Sequence, residues 1–289
     1  MAPGPGSLPV RPSGLYELGH GETFGAWDCV CRQGTCSPVS EGEHSRVHIS
    51  VMLAGTFHAR SAQGEVLVGP GALLLGNASS AYAYRHVDEG GDRSVVFDYA
   101  EAFLDDVGRS LGRRLHERRA FGGACIPASA ASVDAVVLTQ RAMCTGEPEQ
   151  VKEAALMVAA VALTADQGGA STVRAPTSGQ ARRVARTLRY VEAHSTGDCS
   201  LDTLAAHAGL SSFHYLRVFR AMTGQTPHQF VIATRLRAAA TLLRTTRLPI
   251  TEVSMEAGFG DLAHFTTSFT RAFGVSARTY RKRHGPSAV

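Results

Sequence analysis

Three cysteines lie close together near the start of the chain, and two histidines follow them. Cys29, Cys31 and Cys36 fall within eight residues, and His44 and His48 come next. Thiolates are soft ligands for Zn²⁺ or Cu⁺, and an imidazole nitrogen can complete such a site. Because alternate residues of a strand face the same side, Cys29 and Cys31 point together if this segment is a strand. The pattern predicts a Zn or Cu site in which the three cysteines are joined by His44 or His48 as a fourth ligand.

Two other interpretations of the cysteines stay open. Arg32 stands next to Cys31, and a neighbouring cation would lower the thiol pKa and favour a redox or electrophile sensor. The cysteines could equally be strand and turn residues that fill a small core. Six cysteines in 289 residues are too few for a disulfide framework.

The basic residues are concentrated in the last third of the chain. From residue 180 onward there are fifteen Arg and Lys against six Asp and Glu, whereas the preceding part is net acidic. Nearly all of the basic residues are Arg, whose planar guanidinium group suits phosphates and guanine edges. A basic segment joined to an acidic remainder indicates a nucleic-acid-binding domain attached to a domain of another kind.

Two helix-turn-helix patterns occur in this basic segment. At about 200–222, two short amphipathic stretches are joined by a turn at Gly209. The layout recurs at about 250–273, where Gly258 ends one helix and Asp261 is suited to cap the next. Each pattern predicts a pair of short helices, the second of which could enter the major groove of DNA.

One long apolar stripe separates the two patterns. Residues 226–245 predict a helix of roughly 17 residues, about 26 Å long. A strut of this length could hold two recognition helices on one face of the duplex, about one DNA turn (~34 Å) apart.

The basic segment resembles the DNA-binding domain of the AraC/XylS transcription regulators. The residues that carry the resemblance are Leu204, Ala205, Gly209, Ser211, His214, Arg217, Phe219, Thr223, Gly224, Pro227, Arg235, Ala238, Ala239, Leu242, Leu243, Ile250, Val253, Ala257, Gly258, Phe259, Phe265, Phe269, Phe273, Gly274, Tyr280 and Arg281. The resemblance implies two helices placed in successive major grooves.

The resemblance also implies which side chains face the DNA. The groove-facing positions would be Ser212, Phe213, Leu216, Arg217 and Arg220 in the first unit and Asp261, Leu262, Ala263, Thr266, Thr267 and Thr270 in the second. Arg217 is expected to contact guanine. Phosphate contacts are expected from Arg220, Arg271, Arg278, Arg281, Lys282 and Arg283. The second set is short of Arg, Gln and Asn, which predicts contacts to thymine methyl groups or support of the docking.

The sequence pattern in the first third of the chain indicates a β domain. Short β-branched and aromatic runs predict strands at 47–53, 55–60, 64–68, 72–75 and 94–99, in a small barrel or sandwich. The positions Gly55, Phe57, Gly64, Leu67, Pro70, Gly71 and Leu74 resemble the cupin-like sensor domain often fused to AraC-type DNA-binding domains. Enzymatic cupins place a His-x-His pair and a Glu on their strands. This sequence lacks that pair, which disfavours a cupin metalloenzyme.

Helices are predicted between the two parts. Residues 103–115 and 132–165 show helical patterns that would either cover the β domain or pair two subunits. Residues 167–178 are rich in Gly, Ser, Thr and Pro, which is typical of a linker.

These patterns together predict an α+β protein: an N-terminal cupin-like β-barrel, central helices and a C-terminal all-α domain with two helix-turn-helix units. The expected domains are a cupin-like sensor at 14–110, a helical linker or dimerisation region at 111–170 and an AraC-type DNA-binding domain at 180–287.

The expected function is that of a DNA-binding transcription regulator and not of an enzyme. A small molecule, a metal or a thiol-reactive signal would control it. The alternative is a cupin-type metal or Cys/His enzyme fused to a DNA-binding domain. The expected partners are double-stranded DNA, RNA polymerase, the effector and a second copy of the chain. A cytoplasmic location without a membrane partner is expected, because no apolar stretch reaches the ~20 residues of a membrane span.

Overall fold

A computed structural model of the chain describes residues 9–35, 37–112, 120–166 and 177–286. The strands are β1 (Gly14–His20), β2 (Phe24–Cys31), β3 (Ser40–Glu43), β4 (Val47–Gly55), β5 (Phe57–Ser61), β6 (Gly64–Val68), β7 (Leu73–Gly76), β8 (Ala81–His86), β9 (Asp92–Tyr99) and β10 (Cys125–Ile126). The helices are α1 (Glu101–Ser110), α2 (Val133–Thr145), α3 (Pro148–Ala165), α4 (Ser178–His194), α5 (Leu201–Ala208), α6 (Ser212–Thr223), α7 (Pro227–Thr245), α8 (Ile250–Glu256), α9 (Leu262–Phe273) and α10 (Ala277–His284).

The strands form two antiparallel sheets. One has six strands in the order β1-β2-β9-β4-β7-β10, and the other has four in the order β3-β8-β5-β6. The mixed α and β class predicted from the sequence is confirmed. The predicted barrel is not closed within the described residues, because the hydrogen-bonded ladders end at β1 and β10 in one sheet and at β3 and β6 in the other.

The central helices cover the six-stranded sheet. Alternate residues of β4 and β9, such as Ile49 and Phe97, are fully buried in one cluster with Ala155 and Val158 of α3. The hydroxyl group of Tyr99 donates a hydrogen bond to the Ala155 carbonyl oxygen (2.9 Å). These helices therefore bury the core of their own β domain.

The segment 132–165, for which a helical pattern was predicted, consists of two helices. Gly146 ends α2 with a left-handed φ of +68°, and Pro148 begins α3. Glycine adopts this conformation without strain, and proline lacks the N–H that a continuous helix would require. The predicted helix at 103–115 is α1 as far as Ser110, and its end falls partly outside the described residues. The predicted linker lies almost entirely outside them.

The C-terminal part is helical, as the sequence predicts, and it packs against the β domain. Leu67 and Val87 from the strand region share a buried cluster with Leu188 of α4. Asp88 and Arg189 form an ion pair between the two parts, with 2.7 Å between Oδ1 and Nη1. In the described part of the chain, no helix combines the length and the apolar character that a membrane crossing requires.

Candidate nucleic-acid interface

The first helix-turn-helix unit consists of α5 and α6. Helix α5 ends at Gly209, whose φ of +64° lets the chain turn sharply, and the Ser211 side chain accepts a hydrogen bond from the His214 N–H to start α6. The buried side of α6 is fixed by Tyr215 and Phe219, which are almost fully buried. Burial of one side of α6 leaves its opposite side to solvent.

The second unit consists of α8 and α9 and is built in the same way. Gly258, with a φ of +87°, turns the chain after α8. The Asp261 carboxylate then accepts hydrogen bonds from the N–H groups of Ala263 (3.1 Å) and His264 (2.9 Å). These two N–H groups hold the pKa of Asp261 below its usual range. Phe265 and Phe269 are fully buried and orient α9.

Helix α7 supports both units. It has 19 residues and is therefore about 28 Å long. Its first turn is closed by a capping box between Thr226 and Gln229. Phe230 of α7 packs against Phe219 of α6, with 6.2 Å between ring centroids. Further along α7, Leu236 lies in one buried cluster with Phe265 of α9.

Most of the predicted groove-facing residues are exposed. In α6, Phe213, Arg217 and Arg220 are exposed, whereas Ser212 and Leu216 are half-buried. Phe213 keeps 78% of its surface accessible, which is unusual for so large an apolar side chain. The Ser212 hydroxyl group donates to the Asp202 carboxylate of α5, so this contact already engages it within the unit.

The exposed face of α9 has a different chemistry. All of the predicted positions in this unit are exposed, namely Asp261, Leu262, Ala263, Thr266, Thr267 and Thr270. The Thr266 hydroxyl group donates to the Leu262 carbonyl oxygen (2.8 Å), so its hydrogen is engaged within the helix, and its methyl group adds an apolar contact surface. Leu262, 43% exposed, adds a second apolar group.

The predicted phosphate-binding residues are exposed with one exception. Arg220, Arg271, Arg278, Lys282 and Arg283 are exposed at or beyond the ends of the two units. Arg281 is half-buried, and its Nε and Nη2 atoms are shielded from solvent without a hydrogen-bond partner in the described part of the chain. Burial lowers the pKa of Arg281. The phosphate contact predicted for Arg281 stays a prediction, with only part of its guanidinium group open to solvent.

Some of the arginines in the basic segment stabilise the fold. Arg183 of α4 donates to the carbonyl oxygens of Ala208 (2.7 Å) and Gly209 (2.8 Å) at the turn of the first unit. Arg235 of α7 donates to the Ser195 carbonyl oxygen (2.7 Å) after α4. These roles are not apparent from the sequence, because the carbonyl acceptors belong to turns that only the fold places beside the two arginines.

The predicted metal ligands do not come together as one set. Cys31 pairs with Asp92 at one end of β9, whereas His48 pairs with Asp98 near the other end, about 20 Å away at the usual rise per residue. His44 and His48 do meet, with 3.7 Å between ring centroids. Cys36 lies outside the described residues.

The cysteine environment also differs from the expectation of an activated thiol. Burial raises the pKa of Cys31 and raises that of Cys29 to about 11. The Arg32 guanidinium group donates to the Arg11 carbonyl oxygen (3.0 Å) and does not lower the Cys31 pKa. The Cys31 Sγ atom lies instead 3.4 Å from Nε2 of His86, which the sequence analysis did not single out because 55 residues separate the two along the chain.

Comparisons with known proteins match the C-terminal part. A helix-turn-helix domain family matches residues 204–283. Right origin-binding protein of Escherichia coli (strain K12) is 33% identical over 103 residues, which are 36% of this chain and 36% of that protein. The chain thus spans about a third of the length of this first relative.

A shorter relative is matched over most of its length. Regulatory protein SoxS of Salmonella typhimurium (strain LT2) is 31% identical over 96 residues, which are 33% of this chain and 90% of SoxS. The crystal structure of a probable AraC family transcriptional regulator from Rhodopseudomonas palustris CGA009 is 27% identical over 36% of this chain and 98% of that chain, with a TM-score of 0.34.

Proposed function

The chain belongs to the AraC/XylS family of transcription regulators, and from this premise we propose that it binds double-stranded DNA sequence-specifically through α6 and α9. The observation that carries the proposal is the pair of exposed helix faces, each on the second helix of a helix-turn-helix unit and both supported by α7. Second helices of such units enter the major groove. The relative SoxS is a regulatory protein by name, which favours this function over the alternative of a cupin-type metal or Cys/His enzyme.

The two helices divide the contacts with DNA. Arg217 on α6 forms the base-specific contact, with its guanidinium group bidentate to guanine. Helix α9 offers methyl and small apolar groups, which suit the methyl groups of thymine. The exposed cations of the phosphate set hold the register of the protein on the duplex without reading its sequence. They are Arg220, Arg271, Arg278, Lys282 and Arg283.

The N-terminal part acts as an effector sensor. A cavity of about 370 Å³ lies between the four-stranded sheet and the start of α4, with His58, Glu65 and Arg85 on one side and Ala181 and Arg182 on the other. A pocket of this size suits a small polar molecule. Because both parts of the chain line it, a bound effector can favour one arrangement of the DNA-binding part over another.

We also propose that the chain binds a second copy of itself and RNA polymerase. Helix α3 buries one face on the sheet and leaves Leu156 41% exposed on the other. Pairing of two chains through this face would present two DNA-binding parts to repeated half-sites.

The test is a gel-shift and footprinting experiment with the intergenic DNA upstream of the gene. We expect a protected site in the upstream DNA. The affinity for a random duplex of the same length should be at least 1000-fold lower. Because several phosphates are contacted, affinity should fall steeply as the salt concentration rises. Equal affinity for the upstream DNA and the random duplex contradicts the proposal.

A further inference from the structure

The ends of three strands meet at a cluster of side chains that the DNA interface does not use. Cys31 ends β2 and pairs with Asp92, the first residue of β9, while His86 ends β8 in the other sheet. The Cys31 Sγ atom lies 3.4 Å from His86 Nε2, and Asp92 Oδ2 lies 3.1 Å from His86 Nδ1. One ligand atom of each residue lies within 4.8 Å of those of the other two.

The distance between Cys31 and His86 matches what a tetrahedral metal ion requires. Thiolate, imidazole and carboxylate are the three ligand types of Zn²⁺, with bonds of about 2.0–2.3 Å that place two ligand atoms about 3.5 Å apart. The contact between Cys31 and His86 has nearly this length. The Asp92 carboxylate, which offers one ligand atom close to those of Cys31 and His86, can serve as the third ligand. We propose that Cys31, His86 and Asp92 bind a thiophilic divalent cation, for which Zn²⁺ is the probe.

The same three residues also have the order of a nucleophile, a base and an orienting acid. Acyl transfer by a thiol needs N–H groups that are directed at the developing oxyanion. The backbone N–H that follows Cys31, at Arg32, already donates to the Ser13 hydroxyl group (3.0 Å). The geometry therefore favours a metal site, and thiol reactivity becomes one outcome of the test.

Solvent has a route to the cluster. A cavity of about 420 Å³ is lined by Cys31 and Asp92 together with Gly55, Gly90 and Gly91. Gly91 has a φ of +64°, and a Cβ there would lie 2.3 Å from the Cys31 carbonyl oxygen, so glycine is needed for this close approach. Such an opening provides the entry path that metal exchange requires.

The loop between two of the ligands also holds the DNA-binding part. Asp88 is buried and accepts hydrogen bonds from Arg189 of α4 (2.7 Å) and from the Gly90 N–H (2.8 Å). Because His86 and Asp92 flank this loop, a cation bound to both changes the energy of the contact with α4. Occupancy of the site thereby alters the affinity for DNA, and DNA alters the affinity for the ion by the same factor. Only this last step rests on the proposed function.

Binding is tested with Zn²⁺ on the full chain, by equilibrium dialysis with metal analysis and by absorption of the Co²⁺-substituted protein. We expect one Zn²⁺ per wild-type chain and a Co²⁺–thiolate charge-transfer band. Cys31→Ser, His86→Gln and Asp92→Asn should each lower the affinity at least tenfold, because each removes one ligand. Circular dichroism verifies that each variant is folded. If one ligand variant does not fold, the others still test the site.

Cys29→Ser is the matched control, because Cys29 is a half-buried thiol two residues from Cys31 on the same strand. It should bind Zn²⁺ as the wild type does. Equal loss of binding in Cys29→Ser and Cys31→Ser overturns the assigned ligands. A wild-type chain that binds no Zn²⁺ but is alkylated fastest at Cys31 overturns the metal site in favour of thiol chemistry.

The coupling is tested by the gel shift with and without Zn²⁺. Asp88→Asn should keep the ion but lose most of the effect of Zn²⁺ on DNA affinity. Zn²⁺ binding without any specific DNA binding contradicts the proposed function and leaves the site standing. Specific DNA binding by a chain that takes up no Zn²⁺ contradicts the site and leaves the proposed function standing.

Discussion

The outward side chains of α6 and α9 differ in what they can recognise. Arg217 and Arg220 extend from α6, whereas the exposed face of α9 carries threonines, Ala263 and Leu262. A guanidinium group distinguishes guanine through two directed hydrogen bonds, and a methyl group distinguishes thymine only through an apolar contact. We therefore expect α6 to determine most of the preference for a particular DNA sequence.

Replacement of Arg217 tests this expectation. Arg217→Ala should weaken binding to the target site by ~1–3 kcal/mol and relax the preference at one base pair, because a bidentate contact is lost. Gel shifts on a set of single-base-pair variants of the site measure both effects. Arg109→Ala, an exposed arginine of α1, serves as the control and should bind as the wild type does. A uniform loss of affinity on target and random DNA would assign Arg217 to a phosphate.

The buried histidine pair predicts how stability depends on pH. Burial lowers the pKa of His48 to about 3 and that of His44 to about 4, whereas an unfolded histidine titrates near 6.5. Below pH 6.5 these two histidines bind more protons in the unfolded chain than in the folded one, so their contribution to the free energy of unfolding falls as the pH drops. Asp92, whose pKa burial raises to about 7, contributes in the opposite sense over this range. His48 alone should account for about 2 kcal/mol of loss by pH 5.

Urea unfolding between pH 7.5 and 5 measures this dependence. His48→Gln should remove the part of the loss that His48 contributes, because the glutamine side chain does not titrate. His20→Gln, at an exposed histidine, should leave it as in the wild type. Equal slopes for the wild type and His48→Gln would show that His48 does not carry the effect.

At the scale of the elements, the start of each recognition helix depends on one side chain. Ser211 caps α6, and Asp261 caps α9 with two hydrogen bonds to backbone N–H groups. A helix that loses its cap leaves these N–H groups without partners and frays at its first turn. The first turn of α9 also carries Leu262 and Ala263, so fraying there removes part of the predicted DNA contact.

The cap of α9 can be tested with a conservative pair of variants. Asp261→Ala should lower the free energy of unfolding by about 1 kcal/mol, and Asp261→Asn should lower it much less, because asparagine caps a helix nearly as well as aspartate. Urea unfolding of both variants provides the comparison. If the two variants are equally destabilised, the negative charge of Asp261 matters more than its hydrogen bonds.

The elements also show which parts of the fold local sequence can predict. The helices of the C-terminal part were predictable because their caps, their terminal glycines and their apolar stripes all lie within a few residues of one another. Strands β1, β2, β3, β8 and β10 were not predicted. In β2, for example, Asp28 interrupts the apolar pattern because Arg93, 65 residues later, pairs with it in the core. Partners so distant are set by sheet topology and leave no local pattern.

The same difference between local and distant partners applies to the candidate sites. The exposed faces of α6 and α9 were predictable, since exposed positions on a helix follow from its apolar stripe. In the cluster of Cys31, His86 and Asp92, only Cys31 was predicted as a ligand. The three residues come from three strands of two sheets, so the sequence pattern does not connect them. A cysteine spacing within one segment suggested partners nearby in sequence, and the fold supplied partners that are remote in sequence.

At the scale of the whole molecule, the two parts share a substantial packed contact. Apolar residues of the strand region enter the cluster of α4–α7, and the pair of Asp88 with Arg189 lies beside them. A further hydrogen bond joins Tyr280 of α10 to Asp134 of α2 (3.1 Å). An arrangement fixed at several points can transmit a change in the β domain to the DNA-binding part.

The proposed pairing of two chains is tested at Leu156. Leu156→Glu should convert the expected dimer to a monomer, because the pairing would bury a carboxylate without a partner at a cost of several kcal/mol. Sedimentation velocity over a range of concentrations measures the change. Thr164→Glu, also exposed on α3, controls for added charge. A dimer that persists in Leu156→Glu would move the interface away from this face.

Helix α2 contributes to two cores at once. Ala135, Val136 and Leu138 lie in the core of the β domain, whereas Val133 and Val137 lie with Leu236 in the core around α7. Exchange of sensor modules between relatives would therefore fail if the junction were cut at the end of the strands or just before α4. A chimera keeps native packing if α2 stays with both of its neighbouring cores. Otherwise the side of α2 that faces the exchanged core has to be redesigned.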